Sequence, residues 1–329
     1  MKIKVKSPAN IAFIKYWGQR DSDLILPFND SFSMNLSDCY VIVELEKKEP
    51  GVKRLFIKDY KSEKFVEDKG KPLEKVKKFY LRAKEFLKAQ EDFGFSIKSS
   101  MTFPRQAGIA SSAAFFSGLA LAFTKAFGKE LDKRQLSILA RLSGSGSACR
   151  SVPDGFVWWH KGEDSKTSFS ESIAPPSFWD LYDLVLIVNY GRKKVTSQSG
   201  HKGALTSPFF KHRLEWLKKA LKEIKQAFFD KDLEKFGEIL EKEAISLHSV
   251  MMSQKEPLFY WSGATLEIIR RLIKLRQQGI LGYFTIDAGE NVHIITVDKF
   301  KNKIYQYFKS QPFIKEIIIN SPAKGTILL

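Results

Sequence analysis

The sequence is poor in cysteine. Its 329 residues include two, Cys39 and Cys149, which lie far apart and outside any Cys-x-x-Cys pair. This spacing suggests neither a disulfide framework nor a zinc site, so we expect a protein of a reducing compartment. The histidines show no His-x-x-x-His or triad-like grouping, and we expect each to be a surface or packing residue. They are His160, His201, His212, His248 and His293.

Long hydrophobic runs are missing too. No stretch approaches the ~18 consecutive apolar residues of a membrane span. The first residues, MKIKVKSPANIAF, alternate lysine with isoleucine and valine as a strand does, and they lack the apolar core and small-residue cleavage site of a signal peptide. We therefore expect a cytoplasmic protein with no membrane partner.

Acidic residues are in the minority. The 54 lysines and arginines against 37 aspartates and glutamates give a formal net charge of +17, which would attract nucleic acid, an anionic membrane or a polyanionic small molecule. A nucleic-acid-binding protein would need cations clustered with exposed aromatics. Here many of the basic residues lie in amphipathic runs, at 72–90 and 212–229, with acidic residues among them. We expect no nucleic-acid partner.

The chain does contain enough apolar residues, 43%, for a substantial core. Its length allows two modest domains or one large domain with two lobes. Apolar periodicity predicts strands at 2–7, 39–47, 53–59, 94–100, 155–161, 183–190, 279–287, 291–297 and 313–319, and helices at 72–90, 111–127, 132–142, 207–229, 231–252, 262–278 and 298–309. Because strands and helices do not alternate strictly, the pattern favours an α+β fold. The polar stretch 162–177 is the best candidate for a loop or domain boundary.

One segment, FPRQAGIASSAAFFSGLALAF at residues 103–123, leads from a Pro/Gly turn into an apolar helix. Serines at a helix start cap its amides, and amides together with the helix dipole form an anion site; the alternative is an ordinary capped core helix. The segment is neither a Walker loop nor a dinucleotide fingerprint. It resembles the Pro-x-x-x-Gly-Leu-x-Ser-Ser-Ala phosphate loop of the GHMP kinase superfamily. The resemblance implies nucleotide binding by Gly108, Ile109, Ala110, Ser111, Ser112 and Ala113.

A second segment, ANIAFIKYWGQRDSDLILPFNDSFSMNLSD at residues 9–38, places Lys15 beside two aromatics. Such a lysine either snorkels to the surface or points at a bound anion. The segment closely resembles the N-terminal signature of the mevalonate diphosphate decarboxylase family. That resemblance implies a catalytic role for Lys15 and substrate contacts from Tyr16, Trp17, Gly18 and Gln19.

A third segment, LSGSGSACRS at residues 142–151, is either a linker or a binding loop. Its small residues leave backbone amides approachable, and the planar fork of Arg150 suits a carboxylate or phosphate. The surrounding ARLSGSGSACRSVPDGFVWW resembles the same family's R-x-GSGSACRS-x-x-GG-x-V-x-W. The resemblance implies that Arg150 holds the carboxylate that leaves as CO₂, and that Ser145, Gly146 and Ser147 contact the substrate.

A fourth segment, YFTIDAGENVHII at residues 283–295, ends an apolar strand with Asp287. A carboxylate there is commonly a turn former, but the segment resembles the family's T-x-DAGPN, with Glu290 in place of proline. The resemblance implies that Asp287 faces the 3-hydroxyl of the substrate. Residues 193–210 and 247–269 resemble further family motifs.

Membership of this family implies the two-lobed GHMP kinase fold. We expect an N-terminal lobe over residues 1–178 with a left-handed βαβ crossover, and a ferredoxin-like C-terminal lobe over residues 179–329. The implied reaction is the ATP-dependent decarboxylation of (R)-5-diphosphomevalonate to isopentenyl diphosphate, with Mg²⁺ bound mainly through ATP phosphates and Ser111 as a candidate ligand. The family also implies a homodimer.

The sequence departs from the family in places that concern the diphosphate tail of the substrate. Gln19 stands where the family usually has lysine. The family's diphosphate-binding arginine has no clear counterpart, and Lys75, Lys77 and Lys78 all lie near its place. Other departures are Arg105, Gln106 and Gln198. A decarboxylase acting on the monophosphate and a mevalonate 3-kinase remain the alternatives within the superfamily.

Overall fold

The protein is described here by a computed structural model over residues 1–105, 108–191 and 197–329, with 197–199 described as backbone. The first part of the chain forms β1 (Lys2–Ile14), β2 (Gln19–Asp21), β3 (Leu26–Pro27), β4 (Ser31–Lys48), β5 (Lys53–Lys58), β6 (Val66–Asp68), α1 (Lys71–Phe86), β7 (Gly94–Met101), α2 (Ser111–Ala126), α3 (Lys133–Arg141), a 3-10 helix (Gly146–Ser151), β8 (Phe156–Trp159) and β9 (Ser170–Ala174).

The second part forms β10 (Leu181–Ile187), α4 (Ser197–Gly203), a 3-10 turn (Ala204–Thr206), α5 (Phe210–Phe229), α6 (Leu233–Ser253), α7 (Gly263–Gln277), β11 (Tyr283–Thr285), β12 (Val292–Val297), α8 (Asp298–Lys309), β13 (Glu316–Asn320) and β14 (Ile327–Leu328). The predicted helices and main strands are confirmed, and most boundaries differ by a few residues. Two strands are much longer than predicted: β1 continues to Ile14 beyond the predicted 2–7, and β4 begins at Ser31, well before the predicted 39–47.

The N-terminal sheet is built around β1 and β4, which pair antiparallel over most of their length. Its strands run in the order β14-β1-β4-β7-β5-β6, and β8 and β9 extend it from β4. The neighbours β5 and β7 are parallel and are connected through α1, as in a βαβ unit. The hand of this crossover stays a prediction. Helix α2 packs on β1 and β4 because nearly every face of it is apolar.

The C-terminal sheet has the order β11-β12-β10-β13, with every pair antiparallel. Helices α4 to α7 lie in sequence between β10 and β11, and α8 lies between β12 and β13. This βαββαβ arrangement, with the last strand beside the first, is the predicted ferredoxin-like lobe. The chain then returns to the N-terminal sheet, where β14 pairs with β1.

The two lobes share one hydrophobic core. Phe13 on β1 meets Phe236 on α6 with ring centroids 4.9 Å apart, and Phe32 on β4 meets Phe228 on α5 at 5.0 Å. Such edge-to-face pairs fix how helices of one lobe sit on strands of the other. The boundary between the two lobes at residue 178 therefore stays a prediction, because the packing of the core is continuous from one lobe to the other.

The interval 162–177, predicted as a loop, contains strand β9. Its sequence, SESIA, is too short and too polar to stand out by periodicity, and it becomes a strand through pairing with β8. The short strands β2, β3, β6 and β14 escaped prediction for the same reason. Within the described residues, no helix is long and apolar enough to cross a membrane.

Candidate active site

A cavity of about 640 Å³ opens between the two lobes. Its walls come from the end of β1, helix α1, the start of α2, the loop after α3, helices α4 and α6, and the turn after β11. All of the predicted site residues except Gly18 line this cavity. Four separate segments of the sequence therefore meet in one place.

Lys15 and Asp287 form an ion pair at the centre of the cavity wall. Lys15, immediately after β1, is 3% exposed, and its Nζ donates to Asp287 Oδ1 at 2.6 Å. Burial raises the pKa of Asp287, but Lys15, His293 and Arg150 outweigh it, so the pKa of this carboxyl is below its ordinary value. Asp287 is consequently a carboxylate at neutral pH.

The backbone of Lys15 is held by a second, deeper ion pair. Glu243 on α6 and Arg213 on α5 are both almost completely buried and bonded to each other. Glu243 Oε1 accepts from Lys15 N at 2.8 Å, and Arg213 Nη2 donates to Lys15 O at 3.2 Å. Sequence reasoning missed this pair. The available signal was a charged residue on the apolar face of each helix.

Arg150 lies on the 3-10 helix Gly146–Ser151 and is 4% exposed. Its Nε donates to Asn10 Oδ1 and its Nη1 to Ser31 Oγ, both at 3.0 Å. These bonds hold the guanidinium plane. Among the described residues, Nη2 has no hydrogen-bond partner, and Arg150 lines the cavity. Burial lowers the pKa of Arg150 from its ordinary value. An arginine guanidinium nevertheless carries a positive charge in proteins.

The segment before Arg150 is packed rather than slack. A Cβ on Gly146 would lie 2.9 Å from Ile25 Cγ2, 3.0 Å from Trp159 and 3.1 Å from Tyr16. Gly144 has φ +90°, in the left-handed region. Glycine is therefore required at both positions, at one for close approach and at the other for the backbone turn. The binding-loop interpretation fits this geometry better than the linker does.

The phosphate-loop segment differs from prediction in one respect. Helix α2 begins at Ser111, and its N-cap is Ala110 in the left-handed conformation with no side-chain cap hydrogen bond. The expected serine cap was wrong because both serines lie inside the first turn. The uncapped helix start faces the cavity, and Gly108 approaches Gly289 beside Asp287. Gln106 lies outside the described residues, as do residues 193–196 of the segment 193–210 and the side chain of Gln198.

Tyr16 and Trp17 form an aromatic wall. Tyr16 contacts Trp159 edge-on at 4.8 Å between centroids, and its hydroxyl accepts from Gln19 Nε2. Burial raises the pKa of Tyr16 well above its ordinary value, so it stays a neutral hydroxyl. Gly18 lies behind this wall, where its N–H donates to His201. His201 lines the cavity, although no sequence pattern pointed to it.

Cations gather at the α1 side of the cavity. Lys75, Lys78 and Arg82 line it, whereas Lys77 does not and instead bonds Glu74 at 2.8 Å. Arg82 is positioned by donating to Asp23 O and Leu142 O, at 3.0 and 3.1 Å. The structure thus separates the three lysines that the sequence left equivalent, and adds an arginine. Within the described residues, no three His, Cys, Asp or Glu side chains are grouped to hold a metal ion.

A bilobal α+β fold with a phosphate-loop helix facing an interlobe cleft defines a GHMP-type small-molecule kinase scaffold. The diphosphomevalonate decarboxylase-like N-terminal domain family matches residues 7–170, and the mevalonate 5-diphosphate decarboxylase C-terminal domain family matches residues 183–323. The chain belongs to the diphosphomevalonate decarboxylase family.

Relatives agree with this assignment along the whole chain. The diphosphomevalonate decarboxylase of Candida albicans is 33% identical over 323 residues, covering 94% of this chain and 89% of the relative. The human enzyme is 31% identical, covering 89% and 76%. The crystal structure of mevalonate diphosphate decarboxylase from Staphylococcus aureus superposes with a TM-score of 0.92 at 32% identity, covering 100% and 98%. A related structure in complex with MVAPP, AMPPCP and magnesium gives 0.91 at 32%, covering 100% and 99%.

Proposed function

We propose that this protein catalyses the ATP-dependent decarboxylation of (R)-5-diphosphomevalonate to isopentenyl diphosphate, CO₂, ADP and phosphate. The observation that carries the proposal is the Lys15–Asp287 ion pair, which shares one cavity with Arg150 and the phosphate loop. These groups supply what the reaction needs: a base that accepts the proton of a hydroxyl, a cation that neutralises charge on the transferred phosphoryl group, and a guanidinium that binds a carboxylate.

In the first step the 3-hydroxyl of the substrate takes the γ-phosphoryl group of ATP. Asp287 is ionised and would orient this hydroxyl and accept its proton. Lys15, at 2.6 Å from the carboxylate, would neutralise charge as the phosphoryl group is transferred. The same lysine keeps Asp287 from being protonated before the hydroxyl arrives.

In the second step phosphate leaves C3 with the electrons of the C–O bond, and positive character develops there. The electrons of the C1–C2 bond then form the C2–C3 double bond, and C1 departs as CO₂. Arg150 would hold the carboxylate by charge-assisted hydrogen bonds, with its own plane fixed by Asn10 and Ser31. By holding the carboxylate, Arg150 would orient the C1–C2 bond that breaks.

The start of α2 suits the phosphates of ATP because it carries no side-chain cap and because amides at a helix N-terminus bind phosphate oxygens. When bound through these phosphates, Mg²⁺ would neutralise charge on the transferring group. Ser111 is the candidate side-chain ligand. The residues proposed to hold the nucleotide are Gly108, Ile109, Ala110, Ser111, Ser112 and Ala113.

The cations of α1 support the diphosphate as the preferred substrate. A diphosphate tail carries more charge than a monophosphate, and three cations, Lys75, Lys78 and Arg82, line the cavity from this helix. We propose that they take the place of the family's arginine. The other residues proposed to contact the substrate are Tyr16, Trp17, Gln19, Ser145, Gly146 and Ser147, with Gly18 acting behind the wall.

A substrate panel tests the function. The purified protein is incubated with ATP, Mg²⁺ and each of mevalonate, its 5-phosphate and its 5-diphosphate, while CO₂ and ADP are followed. We expect CO₂ and ADP in equal amounts, with the highest kcat/KM for the 5-diphosphate. Preference for the 5-phosphate would make the protein a phosphomevalonate decarboxylase, and ADP without CO₂ from every substrate would make it a kinase.

We also propose that the protein acts in the cytoplasm as a homodimer. The two cysteines, Cys39 and Cys149, are buried and unpaired, which suits a reducing compartment, and the homodimer follows from the family. Light scattering coupled to size-exclusion chromatography should give twice the mass of the chain, and fractionation of the source cells should place the activity in the soluble fraction.

A further inference from the structure

His201 on α4 is enclosed on both faces by aromatic rings. Its ring centroid lies 4.3 Å from that of Tyr16 and 4.5 Å from that of Trp17, with interplanar angles of 33° and 39°. Since both faces of the imidazole are covered, only its edges remain for polar contacts. One edge lies against the backbone of Gly18, and the residue as a whole lines the cavity.

The contact with Gly18 decides the tautomer of His201. Gly18 N–H donates to His201 Nδ1 at 3.0 Å, so Nδ1 carries no proton. Burial, followed by the charge of Arg150, lowers the pKa of His201 to about 3. The ring is therefore neutral at physiological pH, and its single proton is on Nε2.

His201 and Arg150 line the same cavity. The Arg150 guanidinium carbon lies 5.9 Å from the centroid of Trp159, whose ring contacts Tyr16, which in turn contacts His201. Among the described residues, Nε2 of His201 has no hydrogen-bond partner. An anion held in the cavity by Arg150 would therefore meet a second, uncharged donor.

We infer that His201 is a specificity-determining residue whose Nε2–H donates to the substrate carboxylate that Arg150 holds. The inference rests on the proposed function, because it assumes a substrate with a carboxylate. A neutral donor at this place recognises the carboxylate without adding a positive charge, which would hinder its departure as neutral CO₂. Hydrogen bonds to charged groups are strong enough that loss of this one should weaken binding about 10- to 100-fold.

Two matched variants distinguish the role of the Nδ1 acceptor of His201 from that of its Nε2–H donor. His201→Asn keeps an acceptor at the δ position for Gly18 and removes the ε donor. His201→Gln places an amide N–H at the ε position and removes the δ acceptor. Calorimetric titration without ATP measures binding of mevalonate 5-diphosphate, which has the carboxylate, and of isopentenyl diphosphate, which lacks it. Thermal melts establish that each variant is folded.

We expect His201→Asn to bind mevalonate 5-diphosphate about 10- to 100-fold more weakly and isopentenyl diphosphate almost unchanged, and His201→Gln to bind both nearly as the wild type does. Equal weakening of both ligands in His201→Asn would assign His201 to the tail and overturn the inference. Weaker ligand binding by His201→Gln alone would also overturn the inference, because it would mean that His201 acts by holding the backbone of Gly18. If His201→Asn does not fold, His201→Phe, which keeps a ring and also lacks the ε donor, takes its place in the same comparison of the two ligands.

Failure of the inference can be told apart from failure of the proposed function. If the variants bind the two ligands in the expected pattern but the wild-type protein releases no CO₂, the proposed function is contradicted and the carboxylate contact is supported. Wild-type protein that releases CO₂ while His201→Asn binds normally supports the function and overturns the contact. Wild-type protein that does not bind mevalonate 5-diphosphate overturns both.

Discussion

At the scale of single residues, the ionised state of Asp287 depends on the groups around it. The carboxyl lies in a largely buried place that by itself favours the protonated form, and Lys15, His293 and Arg150 reverse that preference. An aspartate that must accept a proton from a hydroxyl needs this reversal. The low pKa of Asp287 therefore suits the base role that we propose for it.

Replacing Asp287 with asparagine should abolish most CO₂ release while leaving the fold intact. The amide keeps the size of the side chain but cannot accept a proton, and removal of such a group typically lowers kcat by about 10² to 10⁴. The measurement is kcat together with nucleotide binding by fluorescence titration. The exposed Asp180→Asn serves as the matched control. Near-normal turnover by Asp287→Asn would remove the residue from its role.

Replacing Lys15 with methionine should move the acidic limb of the pH profile. A depressed pKa means that activity is present above it and is lost as the pH falls through it. Without Lys15, burial acts on Asp287 with less opposition, so its pKa rises and activity is lost at a higher pH. We expect a shift of about one to three pH units in the residual kcat/KM. An unchanged limb would show that Lys15 does not tune this carboxyl.

At the scale of elements, helix α1 presents its cations selectively. Lys75, Lys78 and Arg82 are spaced by three and four residues, which places them on one face, and this face lines the cavity. Lys77 falls on another face, where it bonds Glu74. Lys77 is therefore a control, on the same helix, for testing whether Lys75 and Lys78 bind the diphosphate tail of the substrate.

Lys75→Ala and Lys78→Ala should each raise the KM for mevalonate 5-diphosphate about tenfold, because a charge-assisted contact to the tail is lost. Lys77→Ala should leave KM within twofold of wild type. The kcat of all three should change little, since the tail is remote from C3. Steady-state kinetics at fixed, saturating ATP measures these values. An equal effect of all three substitutions would indicate bulk electrostatic attraction instead of a defined subsite.

The phosphate loop offers a second internal control. Gly108 and Gly128 both have positive φ, +84° and +67°, but only Gly108 lines the cavity. Alanine at either position should destabilise the fold by about 1–2 kcal/mol through the same backbone strain. Only Gly108→Ala should also raise the KM for ATP. Urea-induced unfolding measures the stability of both variants, and steady-state kinetics measures their KM for ATP. Parallel loss of ATP affinity in both variants would contradict a local role for Gly108.

At the scale of the whole molecule, the site depends on the seam between the lobes. Lys15 belongs to the N-terminal lobe, while Glu243 and Arg213, which hold its backbone, lie on helices of the C-terminal lobe. Both side chains of the pair are buried, and the same two helices carry Phe228 and Phe236, whose rings join the lobes. Stability and the position of Lys15 are therefore coupled.

Glu243→Gln should lower the free energy of unfolding by about 3–5 kcal/mol, because Arg213 is left as a buried charge without a carboxylate. Urea-induced unfolding measures this loss, and kcat should fall as well because the backbone of Lys15 loses its support. Glu238→Gln, on the exposed face of the same helix, should change stability by less than about 0.5 kcal/mol. A similar, small effect of both substitutions would show that the buried pair contributes little.

The sequence by itself determined the local features of this protein. Apolar periodicity is a property of neighbouring residues, so helices such as 262–278 and strands such as 291–297 were predictable from it. The motifs around Lys15, Arg150 and Asp287 were equally local, and they pointed to one family before any distance was known.

Only the tertiary structure decided which side chains share the cavity. Lys75 and Lys78 differ from Lys77 only in the direction they face, and that direction has meaning only once α1 is packed beside the cleft. His201 was treated as a packing residue until folding placed it between two rings from the other lobe. Contacts between residues remote in the chain are fixed by the packing of whole elements, and no short window of sequence contains that information.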